Sequence, residues 1–363
     1  MTAEHLLVVW LDDAPPDCGA LLGGKCTSLA EMGRAGFGVP PAFGVTTVAH
    51  REFMNHGGLR ERVHSVTAAI DPDDLAAVEA ASAAISAEIL AAPLPVAVAD
   101  AIRGAYEQLC RRTGVSDVPV AVRSSGVAED SAGASFAGQF ETYLWVIGVD
   151  SVLDHVRRCW SGMFGTQVLT YRPDGGERPA HEALGMAVAV QQMVLPRAAG
   201  VMFTLEPVTG DRSKVVIEGS WGFGEAVVSG EVTPDRFRVD KVTLEVLHRD
   251  IARKEREFRF EPEGGVTLCA VSPERRDIAC LEEEHIVELV SLAKRIERHR
   301  GPPQDIEWAV DQQGRAYVLQ VRPETVWSRR ETKSIAGGAS ALELIMSSFM
   351  AGDQSVGNRG PGT

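Results

Sequence analysis

The run from Val120 to Thr142 constrains the fold of this chain more than any other segment. An alternating apolar stretch ends in Arg123, and a loop rich in Ser, Gly and Ala follows, with no bulky side chain before Phe136. Such a loop lets backbone N–H groups approach an anion closely, and the arginine adds a fork of donors for phosphate oxygens. Arg123 alone is equally compatible with a structural role, but with the loop it becomes a phosphate-binding candidate.

Composition limits the classes of partner. The chain has 363 residues, enough for two or three lobes, and a formal net charge of −14. This charge argues against nucleic acid or an anionic membrane as the main partner, because both attract basic surfaces. The six cysteines are scattered without a Cys-x-x-Cys pair, and no apolar run reaches membrane-spanning length. With no signal peptide at the start, we expect a cytoplasmic protein with reduced thiols.

The distribution of residue types along the chain predicts its domains. Glycine turns and two alanine-rich helical stretches occupy the first third, and strands, glycines and loops follow from about residue 118. We therefore predict an N-terminal lobe over residues 1–115 with a helical segment and a second lobe over 116–327. A Gly-, Ser- and Ala-rich tail over 328–363 is expected to be a linker or docking segment.

A second anion-binding candidate is the Gly-Gly-Lys sequence at residues 23–25, directly before a predicted helix. The two glycines permit a tight turn, the free N–H groups of the helix point outward, and Lys25 adds positive charge. An ordinary helix start with a surface lysine explains the same pattern.

The stretch Gln191–Val194 has the form of an adenine hinge. An extended backbone there would offer N–H and C=O groups to the adenine edge, and Met193 would pack on the ring. An interior strand explains the same residues, and Glu218, at the end of a Lys-Val-Val-Ile strand, has the same ambiguity.

A hairpin is predicted over roughly 304–322, around the four-residue turn 312–315. If Asp311 pairs with Ala316, then Glu307 lies opposite Gln320 and Asp305 lies opposite Arg322, all on one face. This face suits magnesium and terminal phosphates, because it combines hard oxygen ligands with a bidentate cation. A surface salt-bridge ladder is the alternative. The other face is predicted to be core and consists of Ile306, Trp308, Val310, Tyr317, Leu319 and Val321.

Four motifs follow one another in the order of a known family. They are Gly-Gly-Lys at 23–25, Arg-Ser-Ser at 123–125, Asp-Ile-Glu-Trp at 305–308 and Gln-Val-Arg-Pro-Glu-Thr at 320–325. Over residues 20–327 the chain resembles the ATP-binding domain of phosphoenolpyruvate synthase, pyruvate phosphate dikinase and rifampicin phosphotransferase. The resemblance implies an α+β fold of the ATP-grasp type, in which two lobes clamp ATP and the N-terminal lobe carries a helical insertion.

The resemblance also implies roles for particular residues. It makes Lys25, Arg123 and Arg322 catalytic, and Glu307 and Gln320 ligands of Mg²⁺. The residues expected to contact ATP are Lys25, Arg123, Gly138, Thr142, Gln191, Met193, Val194, Glu218, Glu307, Gln320 and Arg322. Cys26 departs from the small or amide residue expected beside the lysine.

In such enzymes ATP first phosphorylates a histidine in a Gly/Thr-rich loop of a swivelling domain, and none of the nine histidines here has that context. We therefore expect an ATP-binding subunit of a split dikinase-type synthetase, which transfers phosphate to a histidine on a partner subunit and yields AMP and inorganic phosphate. The group that it resembles phosphorylates phenol- or cresol-type acceptors. The alternatives are a split pyruvate-phosphorylating enzyme, a non-catalytic nucleotide-binding regulator and a fragment of a longer enzyme.

Overall fold

The structure, a computed structural model, describes residues 7–327 apart from 72, 128–129, 132–133, 136–140, 171–184, 302 and 325–326. The elements below belong to a unit that ends at Glu324. Gly138 and the tail 328–363, both singled out above, lie outside the described residues. The helices are α1 (Gly19–Arg34), α2 (Thr47–Asn55), α3 (Leu59–Ala68), α4 (Leu75–Ala91), α5 (Val96–Thr113), α6 (Val149–Ser161), α7 (Thr166–Thr170), α8 (Glu225–Val228) and α9 (Glu283–Arg300).

The strands form two main sheets and two short ribbons. They are β1 (Val8–Trp10), β2 (Ala42–Val45), β3 (Val120–Gly126), β4 (Asp130–Ser131), β5 (Ala134–Ser135), β6 (Thr142–Val146), β7 (Met186–Gln192), β8 (Pro196–Phe203), β9 (Lys214–Trp221), β10 (Asp235–Asp240), β11 (Val246–Asp250), β12 (Arg256–Phe260), β13 (Val266–Ala270), β14 (Gln304–Asp311) and β15 (Ala316–Pro323).

The first sheet has the order β1-β2-β7-β3-β6. Its central strand β7 is apolar and buried along almost its whole length, and it pairs antiparallel with β2 and β3. Strands that are covered on both faces carry such continuous apolar runs. Helix α6 packs on β3, and α4 and α5 pack on α6, so the helical segment of the sequence forms one layer of this lobe.

The second sheet is antiparallel with the order β11-β10-β9-β8-β14-β15. Helix α9 covers one of its faces with apolar side chains at helical spacing, so the helix is amphipathic. These side chains pack with Ile217, Phe237, Ile306 and Trp308, which are buried completely. The opposite face of the same strands therefore remains available for polar groups.

One sheet of the structure contains strands from both sides of the predicted boundary at residue 115. Strands β1 and β2, which precede the helical segment, share one sheet with β3, β6 and β7, which follow it. The polypeptide passes to the second sheet only between Gln192 and Pro196. Local composition cannot show this, because the pairing of β2 with β7 joins residues that are far apart in sequence.

A fully buried ion pair anchors the segment after β11. Lys254 Nζ donates to Asp235 Oδ1 at 2.6 Å, and both side chains are completely buried. The carboxylate also accepts from the backbone N–H groups of Ala252 and Cys280, and Lys254 Nζ also donates to the Ala252 carbonyl. Buried charges are tolerated when they are paired and hydrogen-bonded in this way.

The structure also describes the state of the cysteines and the apolar character of the helices. All six cysteines are free thiols. Among the described helices, no single one has the length and apolar composition of a membrane span, and α4 and α5 meet that criterion only as a pair, bent by 76°.

Candidate functional site

The hairpin of β14 and β15 places the predicted polar pairs side by side. Glu307 pairs with Gln320, and Asp305 pairs with Arg322. The predicted pairing of Asp311 with Ala316 is wrong, because Ala316 pairs with Val310 instead. A bulge between Glu307 and Trp308 shifts the register back, so the two polar pairs are nevertheless correct.

The same bulge changes which residues of β15 are core. Val318 is completely buried beside Trp308, whereas Tyr317 and Leu319, both predicted to be core, are only partly buried. Leu319 lies in the bulge and lines the cleft between the two sheets. One extra residue reverses the faces of the strand beyond it, because side chains alternate with a period of two.

Arg123 at the centre of β3 connects the first sheet to this hairpin. Its Nη2 donates to Glu307 Oε2 at 2.9 Å and to Gln320 Oε1 at 2.6 Å, and its Nη1 donates to the Leu319 carbonyl at 2.8 Å. The residue is only 7% exposed. Its Nε is buried and has no hydrogen-bond partner among the described residues.

The oxygens of Glu307 and Gln320 converge on a single positively charged nitrogen. Two hard oxygens aimed at one cationic point are a donor set that Mg²⁺ accepts. Within the described residues there is no group of three or more His, Cys, Asp or Glu side chains arranged for a metal. This suits Mg²⁺ more than a fully protein-bound ion, since Mg²⁺ takes its remaining ligands from phosphates and water. The site therefore fits the predicted metal.

Arg322 and Asp305 lie one pleat further along the same face. Arg322 Nε and Nη2 both lie 2.7 Å from Asp305 Oδ2, and the arginine side chain is 43% exposed. Burial raises the pKa of the Asp305 carboxyl, and the Arg322 guanidinium opposes that shift. Arg322 is thus a half-exposed cation in contact with the Asp305 carboxylate.

The Gly-Gly-Lys turn is attached directly to β3. Helix α1 is kinked at Gly23, where φ is 68°, and a new helical segment begins there as predicted. Ser125 Oγ donates to the Leu22 carbonyl and accepts from the N–H of Cys26. A methyl group at Gly23 would lie 2.1 Å from the Ser125 carbonyl oxygen, so this approach requires glycine.

This attachment brings Lys25 to the Arg-Ser-Ser segment. Lys25 Nζ donates to the Ser124 carbonyl at 3.1 Å, across 99 residues of sequence. The neighbouring Cys26 is fully buried, and burial raises the pKa of its thiol to about 12. The thiol therefore stays neutral and adds no negative charge beside a phosphate. The departure at Cys26 leaves the lysine in place.

The predicted adenine hinge borders the cleft, but its backbone is used differently from the expectation. The N–H groups of Gln192 and Met193 donate to the carbonyls of Pro41 and Pro119 and are not free for a ligand. The backbone of Val194 has no hydrogen-bond partner among the described residues. Gln191 is 2% exposed, and its Nε2 likewise has no partner among the residues described.

The hinge forms one wall of an open cleft of about 780 Å³, a volume that includes solvent space at the mouth of the cleft. Arg123, Thr142, Gln191, Met193, Val194 and Glu307 all line it, so the fold brings these predicted residues together. Apolar side chains also line the cleft. These residues, which the sequence analysis did not single out, are Ala121, Leu144, Ala199, Phe223, Val228 and Ala309.

The positions of Glu218 and Glu225 relative to the cleft differ from what the sequence predicts. Glu218 does not line the cleft; it lies two strands from Glu307, and Arg236 Nε approaches its carboxylate at 3.5 Å. Glu225, which the sequence analysis missed, does line the cleft. The Gly-Phe-Gly loop before it was the available signal, because that loop turns the chain from β9 back over β8.

The family model described as the pyruvate phosphate dikinase AMP/ATP-binding domain matches residues 19–340. The chain belongs to this family. The probable phosphoenolpyruvate synthase of Staphylothermus marinus is 41% identical over 359 residues, which cover 92% of this chain and 43% of that protein. The phosphoenolpyruvate synthase of Aeropyrum pernix is 39% identical over 362 residues, with 92% and 44% covered. The chain therefore spans less than half the length of these relatives.

Solved structures that match are ATP-grasp ligases. One of them is the ligase PsnB in complex with a precursor peptide and AMPPNP. The match covers 90% of this chain and 57% of the PsnB chain, with 11% sequence identity and a TM-score of 0.28. A score this low carries no argument about the site. The predicted fold class, α+β with two lobes, is confirmed by the two sheets and their helices.

Proposed function

We propose that this chain binds ATP with Mg²⁺ in the cleft and transfers phosphate to a histidine that lies outside this sequence. One observation carries the proposal. Arg123 bridges two separate sheets at the inner end of a cleft whose other end is apolar and contains an unpartnered buried amide at Gln191. A nucleotide has the same division, with an apolar ring at one end and a polyanion at the other.

The distribution of apolar and charged side chains supports one orientation of the nucleotide. The adenine would lie against Met193, Phe223 and Ala309, with hydrogen bonds to Val194 and Gln191. The phosphates would lie towards Arg123, Lys25 and Arg322, which hold the transferring group in position and stabilise its charge. Glu307 and Gln320 would hold Mg²⁺, which neutralises charge on the phosphate oxygens when bound.

The histidines of the described structure have other surroundings. His50 is buried, and burial lowers the pKa of its imidazole to about 3. His285 completes the capping box at the start of α9, and His299 contacts Glu31 at 3.2 Å. None of these three is presented on a Gly/Thr-rich loop. Their surroundings support a phosphate acceptor elsewhere.

The names of the relatives bear on the final acceptor. The relatives above carry the name phosphoenolpyruvate synthase, which favours the pyruvate-phosphorylating alternative over the phenolic acceptor that the sequence analysis preferred. We therefore propose that the phosphohistidine formed with this chain serves phosphoenolpyruvate synthesis, with AMP and inorganic phosphate as the other products. The acceptor site would lie with the histidine, outside this sequence.

The test is transfer of label from ATP that carries radiolabel in its β- and γ-phosphates, with the reaction products separated by polypeptide. We expect this chain alone to bind ATP and to acquire no label. With a histidine-bearing phosphocarrier present, label should appear on the carrier and AMP should accumulate. Stable label on this chain would overturn the proposal, as would ATP binding without AMP formation when the carrier is present. Pyruvate and phenol, offered separately to the labelled carrier, distinguish the two acceptors.

We expect Glu307→Gln to raise the Mg²⁺ concentration needed for half-maximal ATP binding, because it removes the only charged oxygen of the proposed metal pair. Binding of adenosine, which needs no metal, should change little, since adenosine contacts the hinge end. Both are measured by calorimetric titration. Asp305→Asn is the matched control, because it neutralises the neighbouring carboxylate on the same face. An equal loss for ATP and adenosine would contradict the metal assignment.

A further inference from the structure

One carboxylate in the cleft has no role in the arrangement above. Glu225, the first residue of α8, lines the cleft together with Phe223 and Val228 and is half-buried. Its carboxylate forms no hydrogen bond or ion pair with any other described residue. Burial raises the pKa of this carboxyl, and nearby Glu307 raises it further. A half-buried carboxylate without donors is unfavourable until a ligand supplies them.

The backbone places Glu225 between the two ends of the cleft. A methyl group at Gly224 would lie 3.5 Å from Ala199 Cβ, so the start of α8 lies over this part of β8. Ala199 pairs with Ala309 at the apolar end, and Val201 pairs with Glu307 at the polar end. These two rows are about 7 Å apart along the strands. Glu225 follows Gly224 and also lines the cleft with Glu307, so it lies at the middle of the proposed nucleotide path.

We propose that Glu225 accepts hydrogen bonds from the ribose hydroxyls of bound ATP and thereby makes the cleft selective for ribonucleotides. The proposal rests on the proposed function. A ribose joins the adenine to the phosphates, so it lies where Glu225 lies. Its two adjacent hydroxyls are donors, and a carboxylate presents two acceptor oxygens.

A metal ligand is the competing role for this side chain. The two oxygens of the proposed metal pair converge on Arg123 Nη2, and Glu225 is not bonded to that nitrogen. The cleft-lining residues next to Glu225 in sequence are Phe223, Gly224 and Val228, which provide no oxygen side chains. This apolar stretch of the lining beside Glu225 favours a sugar over a dication.

The experiment compares the affinity of the full chain for Mg·ATP and for Mg·2′-deoxy-ATP by calorimetric titration, for the wild type, Glu225→Ala and Glu225→Gln. We expect the wild type to prefer ATP by on the order of tenfold or more, the size of a lost hydrogen bond to a charged group. In Glu225→Ala the preference should fall to near one, because ATP loses more affinity than 2′-deoxy-ATP, which has only its 3′-hydroxyl to donate to the wild-type carboxylate. Glu225→Gln, which keeps one acceptor oxygen, should retain part of the preference.

The ratio of the two affinities is the decisive readout, because a change in charge near the phosphates alters both nucleotides equally. Glu231→Ala, which removes an exposed carboxylate six residues later, is the matched control and should keep the wild-type ratio. Equal weakening of both nucleotides in Glu225→Ala, or an unchanged ratio, would overturn the ribose assignment alone. A raised Mg²⁺ requirement with an unchanged ratio would assign Glu225 to the metal. A wild type that binds neither nucleotide would refute the proposed function as well.

Discussion

Arg123→Ala should reduce ATP-dependent phosphorylation of the histidine carrier by on the order of 10²–10³-fold, the loss seen when one preorganised donor to developing charge is removed. The expected effect is large because Arg123 has two functions in one side chain. It holds Glu307, Gln320 and the Leu319 carbonyl, and its side chain also lines the cleft proposed for the phosphates. Removing it also leaves the Glu307 carboxylate without its cation.

The measurement is the initial rate of AMP release with the carrier at saturating ATP. Arg123→Lys separates the two functions, because lysine keeps the positive charge but lacks the planar fork that reaches three oxygens at once. We expect Arg123→Lys to recover a minor part of the rate. Arg112→Ala is the control, since this arginine lies on the surface with an exposed ion pair to Asp12. Near-normal activity of Arg123→Ala would show that the arginine only joins the two sheets.

Asp235→Ala should destabilise the protein by about 3–5 kcal/mol, the cost of leaving a buried charge without its partner. Lys254 would lose the carboxylate that it contacts at 2.6 Å, in surroundings from which water is excluded. The backbone N–H groups of Ala252 and Cys280 would also lose their acceptor. The predicted observable is a lower midpoint in urea-induced unfolding, measured by tryptophan fluorescence.

The adjacent ion pair is a matched control for this prediction. Arg253 follows Ala252 and contacts Asp277 at 3.0 Å, but both side chains are about 60% exposed. Asp277→Ala should therefore change the free energy of unfolding by no more than about 1 kcal/mol, as is typical of exposed pairs. If the two variants lose similar stability, burial is not the reason that the Asp235 pair matters.

The hairpin shows how much the alternation of side chains along a strand can predict. Counting outward from the turn predicted the pairs Glu307–Gln320 and Asp305–Arg322, and both are present. The count began from a wrong pair at the turn, and the bulge beside Trp308 compensated for the error. No residue in the sequence predicts this bulge. It follows from the packing of Trp308 and Val318 in the core and the position of Leu319 at the cleft.

The hinge and Glu225 show the limit of local patterns in the cleft itself. The sequence predicted that Gln191, Met193 and Val194 form an adenine hinge with N–H groups directed to the ligand, and all three residues line the cleft. Only the fold shows that Pro41 and Pro119 take two of these groups, since both prolines come from distant segments. Glu225 follows the Gly-Phe-Gly loop, and only the fold shows that this loop brings Glu225 to the cleft.

The sequence by itself determined the family, the α+β class, the polar face of the hairpin and the glycine turn before Lys25. These depend on residue types within short stretches, where glycine, arginine and alternating apolar residues have few structural uses. The tertiary structure decided the sheet order, the pairing of β2 with β7 and the partners of Arg123. Each of these depends on contacts between segments that lie about 100 to 200 residues apart, such as Arg123 with Glu307 and Gln320. Such contacts are set by how the two cores pack, which no short stretch of sequence encodes.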